Sequence, residues 1–217
     1  MQVKICGITR LEDALCAVEN GATALGFIFY PFSPRFIEPR KAGEIIGALP
    51  AHTVKVGVFV NEKERTVRRI FDECGLDMLQ LHGDETPRYC RRFEPRFLIK
   101  ALELKTQDDV KRAAHYDVAA VVADARHAGL YGGTGKTSDW ELARQVAGPL
   151  ILSGGLGRHN VLRALRAVKP AALDINSTVE KAPGKKDAAK IKYIMRMIER
   201  QTAGDASPRV FTGRGDK

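Results

Sequence analysis

The chain has 217 residues, and 44% of them are hydrophobic, which is enough for a sizeable core and argues against bulk disorder. The N-terminus lacks the charged-then-apolar pattern of a signal peptide, and no apolar run approaches the ~18 residues of a membrane span. The formal net charge of +9 leaves two classes of partner, nucleic acid and an anionic small molecule.

The cysteines indicate a cytoplasmic protein. Four are present, without CxxC pairs and without the Cys/His spacing of a zinc site: Cys6, Cys16, Cys74 and Cys90. Because no export signal accompanies them, we expect free thiols in a reducing compartment, no bound metal and no membrane partner.

Short apolar runs rich in β-branched residues alternate with amphipathic stretches along the chain. The apolar runs predict eight strands, at 2–6, 24–29, 53–60, 78–82, 96–102, 117–124, 149–153 and 171–175. The amphipathic stretches predict eight helices, near 11–20, 39–48, 63–74, 86–93, 107–114, 139–146, 159–168 and 187–200. Eight βα pairs without a break in composition favour one α/β domain, a single (β/α)8 TIM barrel over residues 1–200, rather than an open doubly wound sheet.

The remaining segment, 201–217, shows no periodicity, so we expect a disordered C-terminal tail. Most of the positive charge lies instead in helix-like stretches such as 63–74 and 86–93. These stretches contain no nucleic-acid motif, so a solvated outer face is favoured over a surface that binds nucleic acid.

Polar and reactive residues fall at the predicted carboxyl ends of five strands: Cys6, His82, Asp124, Ser153 and Asp174. Active residues of a barrel gather at these ends. Side chains alternate along a strand, so Lys4 shares one face with Cys6 while Val3 and Ile5 share the other. Since the apolar face must meet the helices, we expect Lys4 and Cys6 to point into the barrel.

Cys6 and Asp124 each admit two interpretations. A lone cysteine is most often a core residue, but an inward Lys4 would stabilise its thiolate and make Cys6 reactive. Asp124 directly follows the apolar run VAAVVA and precedes the long Gly-rich segment 125–139. It suits a helix cap or turn as well as an acid/base group at the hinge of a lid.

Two loops suit a phosphate group. SGGLGRHN (153–160) and DINSTVE (174–180) follow the last two strands, where barrels often bind phosphate. Their candidate ligands are small residues with accessible backbone amides: Gly154, Gly155, Asn176 and Ser177. After the second strand, Arg35 is either a surface residue or a ligand for a substrate carboxylate. GGTGKT (132–137) lacks the first glycine of a P-loop, because Leu130 occupies that position, so we expect no ATP binding.

Taken in order, these motifs resemble those of the phosphoribosylanthranilate isomerase family of tryptophan biosynthesis: KICGIT, GFIFYPFSPRF, LQLHG, GGTGKTSDW, ILSGGL and DINSTVE. The resemblance extends over about residues 2–200 and implies a barrel enzyme that works without a cofactor. The implied reaction is an Amadori rearrangement of N-(5-phosphoribosyl)anthranilate to 1-(2-carboxyphenylamino)-1-deoxyribulose 5-phosphate.

The resemblance also implies roles for individual residues. Asp124 matches the general acid that protonates the furanose ring oxygen, and Cys6 matches the general base that removes the proton from sugar carbon 2. Arg35 matches the arginine that contacts the anthranilate carboxylate. The four loop residues match the phosphate site, while His82 and Asp174 match residues at the mouth of the barrel.

One position departs from the family pattern. Thr178 stands where the family usually has a glycine beside the phosphate. If this position requires a positive φ, a β-branched residue is strained there, and we expect weaker phosphate binding with activity retained.

Three other interpretations stay open at this stage. Another phosphosugar barrel isomerase, such as the histidine-pathway enzyme with two aspartates, would carry an acidic residue where Cys6 stands. A nucleic-acid-binding protein would use the basic surface, and a noncatalytic homologue would keep the fold without turnover. The oligomeric state, monomer or homodimer, is also open.

Overall fold

The computed structural model describes residues 1–124, 140–204 and 208–215, and its parallel strands close into a barrel. The strands pair in chain order, and the eighth pairs with the first: β1 (Gln2–Cys6), β2 (Ala24–Ile28), β3 (Val54–Phe59), β4 (Met78–Leu81), β5 (Leu98–Leu102), β6 (Ala120–Ala123), β7 (Leu150–Leu152) and β8 (Ala172–Ile175). This closure confirms the predicted barrel and excludes the open sheet.

Helices follow the strands along the described parts of the chain: α1 (Leu11–Glu19), α2 (Pro39–Gly47), α3 (Glu64–Glu73), α4 (Pro87–Cys90), α5 (Gln107–Ala113), α6 (Trp140–Ala143), α7 (Val161–Val168) and α8 (Ala188–Thr202). The fourth and the sixth are shorter than predicted. After α4, residues 91–93 form a turn, and Glu94, which precedes a proline, is extended (φ −66°, ψ 119°), as expected for that position. None of the helices in these ranges is long and apolar enough to span a membrane.

A short antiparallel hairpin after β8 was not predicted. A 3₁₀ turn at Ser177–Val179 leads into β9 (Glu180–Ala182), which pairs with β10 (Lys185–Lys186). Asp187 then caps α8 by accepting hydrogen bonds from two backbone N–H groups of its first turn. The hairpin thereby brings a charged segment to the carboxyl end of the barrel.

The interior of the barrel changes character along its axis. Its lower part is a cluster of apolar side chains that includes Val56, Met78, Ile99 and Val122. Above this cluster lie buried polar side chains, among them Lys4, Gln80 and Asp174. Val3 and Ile5 pack instead into the outer core against the helices, which agrees with the expected alternation along the first strand.

Two basic residues of α3, Arg68 and Arg69, lie on the solvated outside and pair with acidic neighbours. Arg68 lies 2.9 Å from Glu64, and Arg69 lies 2.7 Å from Glu73, with both arginine side chains about half exposed. Glu64 also accepts from Arg92 at 3.1 Å. Much of the positive charge in this region is therefore locally balanced, as expected for a solvated face.

Part of the C-terminal tail, for which we predicted disorder, packs against the barrel. Val210 and Phe211 are 3% and 2% exposed, and they belong to the apolar cluster at the lower end of the barrel. Gln2 accepts hydrogen bonds from both of their backbone N–H groups, at 2.6 and 2.9 Å, and donates one to the Phe211 carbonyl at 2.9 Å. Two apolar residues show no periodicity, yet their burial and these bonds hold the segment in place.

Phe211→Ala is expected to lower the free energy of unfolding by roughly 3 to 5 kcal/mol, because it removes a buried aromatic ring from the lower core. Urea denaturation followed by circular dichroism measures this change. Phe32→Ala is the matched control, since Phe32 is 84% exposed and its loss should change the same quantity by less than about 0.5 kcal/mol. Equal effects of the two substitutions would contradict the packed position of the tail.

Candidate active site

A cavity opens at the carboxyl ends of the strands, and all nine candidate residues line it: Cys6, Arg35, His82, Asp124, Gly154, Gly155, Asp174, Asn176 and Ser177. They lie on or after six different strands, so closure of the barrel is what brings them together. The Gly-rich segment 125–139, for which we predicted a lid and no ATP site, lies outside the described residues. The chemical role of each residue stays a prediction at this point.

The thiol of Cys6 fits into the cavity wall because its neighbour has no side chain. Cys6 pairs in register with Gly26 of β2, and a Cβ at Gly26 would lie 2.6 Å from Sγ. Cys6 is 4% exposed while still lining the cavity. Any side chain at Gly26 would therefore displace the thiol, and glycine is needed there for close approach.

Opposing effects act on the protonation of this thiol. Burial raises the pKa of Cys6 to about 11, and the nearby ammonium groups of Lys4 and Lys186 offset only part of the rise. We had expected Lys4 to stabilise the thiolate. That attraction is present but weaker than the desolvation of the charged sulfur, so the thiol is protonated at neutral pH.

Lys4 lies beneath the cavity as a fully buried cation. Its register partner Asp174 on β8 is 3.1 Å from Nζ, and Gln80 of β4 accepts a hydrogen bond from the same nitrogen. Burial acts to lower the pKa of Lys4, but the charge and hydrogen bond of Asp174, together with smaller contributions from Cys6 and Asp124, outweigh it, and the pKa is raised. Lys4 is therefore an ammonium group, which can only donate hydrogen bonds.

Asp174 keeps one acceptor for a ligand. Its Oδ2 pairs with Lys4, whereas its Oδ1 is buried without a hydrogen-bond partner in the part of the chain that the structure describes. A buried carboxylate oxygen without a partner is costly, and a hydroxyl of a molecule in the cavity would satisfy it.

His82 and Asp124 are joined directly. His82 Nε2 lies 2.9 Å from Asp124 Oδ2, and Gln80 Nε2 lies 2.7 Å from His82 Nδ1. A continuous hydrogen-bonded chain thus runs from Lys4 through Gln80 and His82 to Asp124. Gln80 was not among the candidates. Its position two residues before His82, on the same face of an apolar strand, could have identified it.

Arg35 is held at the cavity wall by a residue that we did not predict. Its Nε and Nη2 donate to the carboxylate of Glu180 at 2.8 to 3.1 Å. Glu180 also lies 2.9 Å from Lys186, which in turn donates to Asn176 Oδ1 at 2.9 Å. Burial tends to raise the pKa of Glu180, but the two cations lower it overall, so this carboxylate is ionised. The unpredicted hairpin supplies both Glu180 and Lys186.

The loops after β7 and β8 have the open backbone that was expected. Gly154 and Gly155 have φ values of 87° and 60°, which favour glycine and leave their amides accessible. Thr178 lies in a 3₁₀ turn and is not among the residues with positive φ, so the expected strain is absent. Its hydroxyl donates to the Leu156 carbonyl, and its methyl carbon lies 3.1 Å from the position that a Cβ of Gly157 would take. Thr178 thus ties the two loops together.

The raised pKa of Cys6 predicts a steep pH dependence of its alkylation. Only the thiolate reacts with iodoacetamide, so the rate at Cys6 should rise about tenfold per pH unit from pH 7 to pH 10. Mass spectrometry of the Cys6 peptide measures this rate. Cys90, whose pKa is also about 11 but which is 1% exposed and does not line the cavity, should stay unmodified. A rate that reaches its plateau below pH 8 would show that Lys4 dominates instead.

Comparisons with known proteins identify the family of the chain. A family model described as N-(5'phosphoribosyl)anthranilate (PRA) isomerase matches residues 3–197. The N-(5'-phosphoribosyl)anthranilate isomerase of Syntrophus aciditrophicus is 51% identical over 201 residues, which cover 92% of this chain and 87% of the relative.

Solved structures show the same likeness. The phosphoribosyl anthranilate isomerase of Thermotoga maritima superposes with a TM-score of 0.84 at 42% identity, covering 94% of this chain and 99% of that one. A phosphoribosyl anthranilate isomerase in complex with reduced 1-(o-carboxyphenylamino)-1-deoxyribulose 5-phosphate gives a TM-score of 0.80 at 39% identity, covering 90% and 97%. The chain therefore belongs to the N-(5'-phosphoribosyl)anthranilate isomerase family, as its motifs predicted.

Proposed function

We propose that the protein catalyses the isomerisation of N-(5-phosphoribosyl)anthranilate to 1-(2-carboxyphenylamino)-1-deoxyribulose 5-phosphate in tryptophan biosynthesis. The observation that carries this proposal is a single cavity lined by a thiol, a carboxyl group, an arginine and two glycine-rich loops, in a chain of this family. The related enzyme that is seen with the reduced form of this product supports the same substrate class.

Binding is expected to use both ends of the substrate. The phosphate accepts hydrogen bonds from the amides of Gly154 and Gly155 and from Asn176 and Ser177. Arg35 faces the anthranilate carboxylate, because Glu180 fixes its guanidinium at the cavity wall. Asp174 Oδ1 accepts from a sugar hydroxyl, which satisfies the partnerless oxygen.

The first chemical step needs an acid. Asp124 donates a proton to the furanose ring oxygen, and the bond between that oxygen and sugar carbon 1 breaks. The electron pair of the anthranilate nitrogen forms the new double bond to carbon 1, which gives a positively charged Schiff base. Such a positioned acid contributes roughly 10²- to 10⁴-fold to the rate.

The second step needs a base. The Cys6 thiolate removes the proton from sugar carbon 2, and the electrons of that C–H bond neutralise the Schiff base to give an enolamine. The enolamine then tautomerises to the ketone, so the sum of the steps is an isomerisation. Burial raises the pKa of Cys6 to about 11, and the positive charge of the Schiff base favours release of the thiol proton to solvent, which gives the thiolate when the base is needed.

Cys6→Ser and Asp124→Asn are each expected to lower kcat by at least about 100-fold, because each removes one of the two proton-transfer groups. The loss of anthranilate-substrate fluorescence on turnover measures kcat, and circular dichroism verifies the fold. Cys16→Ser and Asp72→Asn are matched controls outside the cavity and should keep wild-type turnover. Full activity of either cavity variant would remove that residue from its role.

Arg35→Met is expected to raise KM by about 10- to 100-fold with a smaller effect on kcat, since a hydrogen-bonded carboxylate contact is made before and during the reaction. Steady-state kinetics with the same fluorescence signal separate the two constants. Glu180 keeps Lys186 as a partner in this variant. Arg40→Met, whose guanidinium is 93% exposed on α2, is the control. Equal KM values for the two variants would place the carboxylate elsewhere.

A further inference from the structure

The buried hydrogen-bonded chain beneath the cavity determines which atoms of its members carry hydrogens, as well as where the side chains lie. It runs from Lys4 to Gln80, then to His82, and ends at Asp124. Lys4 and Gln80 are fully buried, and His82 and Asp124 are 8% and 3% exposed. In such a chain each donor must meet an acceptor, because an unmatched polar group is costly out of water.

Lys4 determines how the Gln80 amide is turned. An ammonium group only donates, so the atom of Gln80 that faces Nζ must be the carbonyl oxygen. The amide nitrogen then faces His82 Nδ1 at 2.7 Å, and an amide nitrogen only donates. The reverse orientation would set two donors against each other at Lys4.

The amide in turn determines where the imidazole carries its hydrogen. Because Gln80 donates to Nδ1, that nitrogen must offer its lone pair and carry no hydrogen. The ring is then neutral with its hydrogen on Nε2, which donates to Asp124 Oδ2 at 2.9 Å. An imidazolium ring would point an N–H group at the Gln80 amide hydrogens and lose this bond.

We propose that Gln80 is a positioning residue that keeps His82 neutral, so that the transferable proton of the His82–Asp124 pair resides on Asp124. One extra proton on this pair can form either an imidazolium beside a carboxylate or an imidazole beside a carboxylic acid. Only the second arrangement lets Asp124 donate a proton to substrate. This inference rests on the proposed function, in which Asp124 is the general acid.

The charged and titratable groups around the chain are consistent with this assignment. From β1, Lys4 and Cys6 face the same interior, and Asp174 from β8 pairs with Lys4 rather than with His82. Lys100 on the neighbouring β5 pairs with Glu85 at 2.9 Å on the other face of the sheet. Asp124 is the anionic group that contacts the His82 ring directly in the described part of the chain.

Gln80→Glu is the direct test, because it preserves shape and the Lys4 contact but turns the donor at Nδ1 into an acceptor. The protein is labelled with ¹⁵N-histidine, and the His82 ring signals among the five histidines are identified by their loss in His82→Asn. At pH 7 wild-type enzyme should show an unprotonated Nδ1 and a protonated Nε2. Gln80→Glu should show both nitrogens protonated, with kcat lowered at least about tenfold and KM within about threefold.

Gln80→Met and Gln145→Glu complete the set. Gln80→Met breaks both contacts of the amide. If Gln80 had only a structural role, kcat would fall further in Gln80→Met than in Gln80→Glu. Our assignment predicts that kcat falls further in Gln80→Glu. Gln145→Glu changes an exposed glutamine outside the cavity and should leave kcat and the His82 signals unchanged.

A protonated Nδ1 in wild-type enzyme, or wild-type kcat in Gln80→Glu, would overturn the assignment. If Gln80→Glu does not fold, the protonation of His82 Nδ1 in the wild-type ¹⁵N spectrum tests the assignment by itself. That spectrum is recorded without substrate, so absence of isomerase turnover in wild-type enzyme would refute the proposed function while leaving the assigned tautomer standing.

Discussion

Lys4 carries a positive charge into the fully buried interior of the barrel, where an unpaired ion would cost several kcal/mol. Asp174 offsets this cost at 3.1 Å, and it stands beside Lys4 because β8 pairs with β1 in register. The pairing of β8 with β1 that closes the barrel therefore also places the carboxylate that balances the charge of Lys4. The cation also faces Cys6 and Gln80, so both sides of the cavity floor depend on it.

A second buried ionic group shapes the wall of the cavity. Glu180 lies between Arg35 and Lys186, and the three charges leave a net positive wall. A guanidinium fixed in this way loses little conformational freedom when an anion arrives, which is the advantage of a preorganised site over a mobile surface cation. In the proposed function, the short hairpin after the barrel is thus part of the surface that recognises the substrate and not only a connection to the last helix.

Periodicity and strand ends were enough to predict the barrel, the cavity and the inward direction of Lys4 and Cys6. The hairpin with Glu180 and Lys186 escaped prediction because two- and three-residue strands leave no pattern. The burial of Phe211 was not predicted, because it depends on the lower end of the barrel, which exists only in the folded protein. The pKa of Cys6 likewise depends on the balance between burial and distance to the cations, which no sequence spacing contains. The strain expected at Thr178 assumed a backbone angle that the 3₁₀ turn does not require.

The tail crosses the end of the barrel that is opposite the cavity, where Gln2 binds the backbone of Val210 and Phe211. Both ends of the described chain therefore emerge on one side of the molecule, and Arg214 continues that path by donating to the Leu76 carbonyl at 2.6 Å. A support or fused domain attached beyond this segment would leave the entrance of the cavity unobstructed. Attaching the protein to a surface through its tail would therefore leave the cavity facing solution.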